Sequence, residues 1–222
     1  MSDWNKNFTK PTPDEFLGEL RKTNKLIEKL AIDGIAMYSP KDDYIIYNGD
    51  LVTDGTIEFD VTNVIVMGNV KAKVLSLSND QSGADEGGSF FAYGDVECDY
   101  FENHYGKMTV IGGSLKVNKI LHNNYDDSCL RVLGDVTTEY LHCPLVWINA
   151  KGEIQIKYGD GYCMPLPGHT FYDGKKTIDP QHSVEESREF LKANYKLKEG
   201  GDIEDTINDF MFTEIEAQKK KS

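Results

Sequence analysis

Six glycines recur through the middle of this chain, Gly49, Gly68, Gly94, Gly113, Gly134 and Gly152, at intervals of 19, 26, 19, 21 and 18 residues. Each sits in one local pattern, apolar-x-Gly followed by Asp, Asn, Ser or Glu and then apolar-x-apolar-x-apolar, repeated from Tyr47 to Tyr158. Self-similarity of this kind is the signature of stacked repeats, in which each unit buries its apolar side against its neighbours. The repeat therefore constrains the shape of the chain before any single segment is read.

Aligned on their glycines, the copies form columns. Two residues after each glycine stand Leu51, Val70, Val96, Leu115, Val136 and Ile154, and four after stand Thr53, Ala72, Cys98, Val117, Thr138 and Ile156. Such alternation predicts a strand with one face buried. A second strand precedes each glycine, through Ile45/Tyr47, Val64/Val66, Phe90/Ala92, Thr109/Ile111, Leu130/Val132 and Ile148/Ala150. Two short strands joined at a Gly corner make one coil of a β-helix, with positive φ expected at the corner glycine. The Asp or Asn that follows is expected to bond the turn backbone.

Two outward columns test the stacking. Five residues after the glycine, with one extra residue allowed in the fourth copy, the chain reads Asp54, Lys73, Asp99, Lys119, Glu139, Lys157. Stacked strands lie about 4.8 Å apart, so alternating signs favour in-register coils and like signs would repel. Three residues before the glycine, the column reads Ile46, Ile65, Phe91, Val110, then Arg131 and Asn149, with Met67, Tyr93 and Leu133 beside it. An apolar stripe on the outside needs a cover, which is one of the chain's own helices, a second copy in a homodimer, or another protein.

The flanks read as helical. Thr12-Pro13-Asp14-Glu15 is a helix start, with Pro in the first turn and carboxylates at the positive end of the dipole. Phe16, Leu17, Leu20, Ile27, Leu30 and Ala31 continue at helical spacing, and the expected role is to cap the open end of the coils. Ser183 with Glu186 forms a capping box for a helix to about Tyr195. A second helix follows from about Ile203, carrying Ile207, Phe210, Met211 and Ile215. The expected divisions are residues 1–40 as helical cap, 41–160 as β-helix, and 161–222 as a loop with acidic helices packed on the solenoid.

At 222 residues and a net charge of −13, the chain suits one domain and disfavours nucleic-acid binding, which needs clustered Lys and Arg. No apolar run approaches a membrane span, and the N-terminus lacks the apolar core of a secretion signal. Cys98, Cys129, Cys143 and Cys163 are too scattered for a disulfide framework or a zinc knuckle. A cytoplasmic location without cofactor or metal is the resulting expectation.

One column invites a chemical reading. Ser76, Glu102, His122 and His142 each follow an aligned apolar residue, at one-coil steps. Glu and His are zinc ligands, yet neighbours along a line do not converge on a tetrahedral centre without help from loops. Asn103 and Asn123 stand in the adjacent column, where stacked amides form hydrogen-bonded ladders. A structural ladder, a partner contact, and a metal or acid/base site are the alternatives. From the same edge leave two acidic connections, one with Asp80, Asp85 and Glu86, the other with Asp126 and Asp127. No Arg or Lys accompanies these acids as it would in a carbohydrate-active groove, which leaves mobile polar loops and an acidic contact surface for a basic partner as the readings.

The run Val66-Met67-Gly68-Asn69-Val70-Lys71-Ala72, with Tyr93-Gly94-Asp95-Val96 and Leu133-Gly134-Asp135-Val136, resembles bacterial β-solenoid proteins with repeated V-x-G-D-L-x-(A/V) strands. Asn103-His104-Tyr105-Gly106 before Met108-Thr109-Val110 is similar to that group's Y-N-x-G-x-L-x-V segment, with Glu102 in place of an aromatic and Tyr105 extra. The resemblance covers residues 44–158. It implies a mainly β protein built as a right-handed parallel β-helix of about six coils. The genes of such proteins often lie beside those of secreted antibacterial toxins, which implies an immunity role by occlusion of a basic toxin. Bactofilin polymers share the strand pattern, so a self-associating structural protein is the alternative and a β-helix enzyme the third. No catalytic residue is implied.

Overall fold

In the computed structural model, residues 7–22, 43–59, 61–77, 88–103, 107–123, 129–144, 148–161, 163–165 and 178–219 are described. Two parallel sheets face one another as a β-solenoid of about five turns. The first sheet stacks β2 (Tyr44–Tyr47), β5 (Asn63–Val66), β7 (Ser89–Ala92), β9 (Met108–Ile111), β11 (Cys129–Val132), β13 (Ile148–Ala150) and β15 (Cys163–Pro165). The second stacks β6 (Val70–Ser76), β8 (Val96–Glu102), β10 (Leu115–His122), β12 (Val136–His142) and β14 (Ile154–Gly159). Ahead of β6 the first copy is broken into β3 (Leu51–Val52) and β4 (Thr56–Glu58), both paired to β6. The solenoid has about five turns, where the glycine repeat led to an expectation of about six coils.

The registers follow the glycine alignment. Val70 pairs with Val96, Val96 with Leu115, Leu115 with Val136 and Val136 with Ile154. The extra residue of the fourth copy is a register shift between Val117 and Ile120, where β10 bulges against both neighbours. The inward columns, with Leu75, Phe101, Leu121 and Leu141, form one continuous core from Ile45 to Ile156.

The glycine corner works differently from the expectation. Of the six repeat glycines only Gly49 has a positive φ, 97°. The others are required by close approach between coils. A Cβ on Gly113 would lie 2.8 Å from the Asp95 amide nitrogen, and one on Gly152 would lie 2.7 Å from the Gly134 carbonyl carbon. The following residue likewise bonds the next coil rather than its own turn. Asp50 accepts from the Asn69 amide (2.7 Å), Asn69 from Asp95 (2.8 Å), Asp95 from Ser114 (2.8 Å), Ser114 from Asp135 (3.1 Å) and Asp135 from Glu153 (2.7 Å). A side-chain-to-backbone ladder thus runs up the corner from coil to coil.

The apolar stripe is covered by α1 (Pro13–Arg21), an amphipathic helix opened by a Thr12–Glu15 capping box with Pro13 in its first turn. Phe16 and Leu20 bury Tyr44, Ile46, Ile65, Phe91 and Val110, with Met67, Tyr93 and Leu133 at the margin. The described helix ends at Arg21, and Ile27, Leu30 and Ala31 lie outside the described residues. Closing the coil edge, which the sequence suggested for this helix, falls to β1 (Phe8–Thr9), which pairs antiparallel with β2.

A second apolar column lies outside the second sheet: Val74, Tyr100, Ile120 and Tyr140, with Tyr158 partly buried. Over it pack α2 (Val184–Tyr195) and α3 (Ile203–Lys219), through Leu191, Tyr195, Ile207, Met211 and Ile215, with Leu197 from between them. Phe190 stacks on Tyr158 at 4.3 Å between ring centroids. The approach to α2 also shields the last strand. Gln181 and His182 donate their amides to Ile156 and Lys157 (2.9 and 3.1 Å), and the buried Gly159 amide donates to Ser187 Oγ (3.0 Å).

Between these covered faces runs a polar strip. Lys71 and Lys116 each lie 3.5 Å from Glu97, and Lys157 lies 3.5 Å from Glu139. Lys73, expected to alternate with its coil neighbours, instead reaches Glu214 on α3 at 2.9 Å.

Candidate functional site

The column with mixed acid and base character stands at the C-terminal ends of the second sheet's long strands. Ser76 pairs in register with Glu102, Glu102 with His122 and His122 with His142. The four expected residues are thus brought together. The column is longer than the sequence reading found, because Glu58 pairs with Ser76 at one end and Asp160 continues beyond His142 at the other.

Each member is positioned by a rigid strand. Ser76 Oγ donates to Glu102 Oε2 at 2.6 Å. The rings of His122 and His142 meet with centroids 5.0 Å apart and planes tilted by 50°. Both histidines are buried, at 0% and 2% exposure. Asp160 holds His142 from the far side, with its oxygens 2.8 and 2.9 Å from Nδ1. A carboxylate at Nδ1 orients the imidazole and keeps the proton on that nitrogen. His142 Nε2 has no hydrogen-bond partner among the described residues. No group of three or more His, Cys, Asp or Glu residues among the described ones is arranged to hold a metal ion.

One step further along each strand the buried amide ladder is present. Asn103 Nδ2 donates to Asn123 Oδ1 at 2.7 Å, and Asn123 Nδ2 approaches Cys143 Sγ at 3.8 Å. Asn103 also closes its own turn, donating to the Lys107 carbonyl (2.8 Å) and accepting the Lys107 amide (3.2 Å). Lys107 is 2% exposed and donates Nζ to the carbonyls of Val61 and Thr62 at 2.8 and 3.0 Å, tying this turn to an earlier one. Burial depresses its ammonium to about 8. Nothing in the sequence pattern distinguished Lys107 from a surface lysine. Cys98 lies in the core as expected, and burial pushes its thiol far up.

Asp80, Asp85, Glu86, Asp126 and Asp127 lie outside the described residues. They fall between β6 and β7 and between β10 and β11, two connections of one kind, from the end of the second sheet to the start of the first. Among the described residues, no helix is long and apolar enough to cross a membrane. The fold defines the class, a β-solenoid with helices laid along its outer faces. Compared with protein-family models, curated proteins and solved structures, the chain matches none.

Proposed function

We propose that this protein is a non-enzymatic, cytoplasmic binding scaffold that neutralises a basic toxin by occlusion. The observation that carries this reading is how the chain uses its own surface. The two apolar outer faces are occupied by α1 and by α2 with α3. One sheet edge is paired by β1, and the last strand of the other sheet is shielded by residues 181–182. A coil stack guarded in this way suits a discrete particle better than a polymer grown through open ends. What it offers a partner is a rigid edge from which the acidic connections leave. Acidic segments on a rigid support steer a cationic partner, such as a nuclease toxin whose surface attracts phosphate.

The test reverses Asp80, Asp85, Glu86, Asp126 and Asp127 to Lys and measures binding to a toxin encoded beside this chain. Stability should change little if these acids serve recognition and not packing. The association rate should fall at least about tenfold and lose most of its salt dependence, since steering acts on the on-rate. Unchanged kinetics, with cells still protected, would remove the acidic connections from the mechanism.

A further inference from the structure

We propose that the polar strip on the second sheet carries a binding site for a neutral mono- or disaccharide. The inference is independent of toxin binding. It starts from a cavity of about 300 Å³ that opens on the outer face where β10, β12 and β14 lie side by side. That volume is at the lower end of the range for small-ligand sites.

The hollow has a cause in the sequence. Exposed Thr137 pairs in register with Lys116 on one side and with Gln155 on the other. Alternate residues of a strand share one face, so Glu139 follows Thr137 along the same row. A short side chain among longer ones leaves a depression, with Thr137 as its floor. Gln181 closes the side beyond β14, fixed there by its amide, which donates to the Ile156 carbonyl at 2.9 Å. On the opposite side β10 bulges between Val117 and Ile120. Val117 borders the cavity with its side chain buried in the core, so its backbone is what faces the cavity. A bulge leaves such backbone groups outside the regular ladder and free to bond elsewhere.

The lining selects the ligand. Lys116 lies 3.5 Å from Glu97 and Lys157 lies 3.5 Å from Glu139. Each ammonium thus has a counter-charge at hand, and the site does not call for an ion. Asn118, Gln155 and Gln181 each bring an amide that both donates and accepts, and Thr137 brings a hydroxyl that does the same. Sugar hydroxyls also donate and accept, so a ring bearing several of them matches such a set at several points. The C–H faces of the ring need apolar surface, which the lysine stems supply. Lys157 is steadied for this by Tyr158, with Nζ 5.1 Å from the ring centroid.

The experiment titrates the full ¹⁵N-labelled chain with glucose, galactose, N-acetylglucosamine, cellobiose, maltose and lactose, with galacturonate and inorganic phosphate in separate arms. At least one neutral sugar should give saturable amide shifts at Thr137, Gln155 and Gln181. Its affinity should change less than about twofold between low and high salt, because screening acts on charges. Thr137→Arg, which fills the floor from an exposed position, should abolish binding. Gln155→Ala should weaken it about 2- to 10-fold, the worth of one hydrogen bond. Binding by galacturonate or phosphate alone, by no sugar of the panel, or with shifts confined to another surface would overturn the proposal, as would undiminished affinity in Thr137→Arg. Should Thr137→Arg fail to fold by circular dichroism, Gln155→Ala decides, and unchanged affinity there would overturn the proposal equally.

Discussion

The carboxylate of Asp95 accepts the backbone amide of Ser114 at 2.8 Å, across 19 residues of sequence and one coil of the solenoid. The same Asp95 oxygen is the first atom that a Cβ on Gly113 would meet. Ladder and glycine are therefore one device, since the rung fits only where the neighbouring corner has no side chain.

Gly113→Ala should accordingly be severely destabilising, by about 2 kcal/mol or more, because rigid backbone on both sides must give. Gly18→Ala, in α1 with no atom within 4 Å of the added methyl, should be neutral or stabilise by up to about 1 kcal/mol through helix propensity. Urea melts of the two variants provide the comparison. Equal effects would show that corner spacing does not require glycine.

Removing a rung without touching a glycine isolates the hydrogen bond. Asp95→Ala should cost about 1 kcal/mol, and Asp95→Asn, which keeps an acceptor oxygen, should cost less. The measurement is denaturant midpoint at constant m-value.

The cross-element ion pair supplies a test of how α3 docks. Lys73 and Glu214 lie 2.9 Å apart with side chains 29% and 23% exposed. Lys73→Glu should be partly rescued by Glu214→Lys, with a coupling up to about 1 kcal/mol in a double-mutant cycle. A rescue by Asp99→Lys alone would instead favour the coil-to-coil alternation expected from sequence.

The covering helices should matter through single anchors. Phe16→Ala should cost about 3–5 kcal/mol and Met211→Ala about 2–5 kcal/mol, since both side chains are fully buried. Each variant should also bind a hydrophobic dye as its apolar column becomes accessible. A dye-silent, fully stable Phe16→Ala protein would contradict the packing of α1 on Ile65 and Phe91.

Lys107 predicts a pH dependence of definite sign. Burial lowers its folded-state value to about 8 from 10.5 in the unfolded chain. Between these values the unfolded state binds more protons, so stability rises with pH across the window and is unaffected below it. The increase from pH 7.5 to 9.5, measured by urea melts, should vanish in Lys107→Met. An equal increase in that variant would assign the slope to another group.

The two sheets and their register were legible because alternation and the glycine period are local features of one strand and its copy. Glu102, His122 and His142 were placed in one column on that basis alone. Asp160 was not, although it stands eight residues after Gly152 as His142 does after Gly134, because the segment beyond Gly159 read as a loop. The second apolar column was hidden for a related reason. Strict alternation puts Val74, Tyr100 and Tyr140 on the inward face, whereas the alternation breaks before them and turns them out towards α2 and α3.

By itself, then, the sequence determined the repeat, the inward columns and the helix starts, all set by residue preferences within a few positions or one period. Tertiary structure decided which helix covers which face, that Lys73 answers Glu214, that Lys107 is buried, and that the corner glycines serve close packing instead of positive φ. Those outcomes depend on the distance between segments far apart in the chain. That distance is settled only when whole faces compete for the same apolar cover.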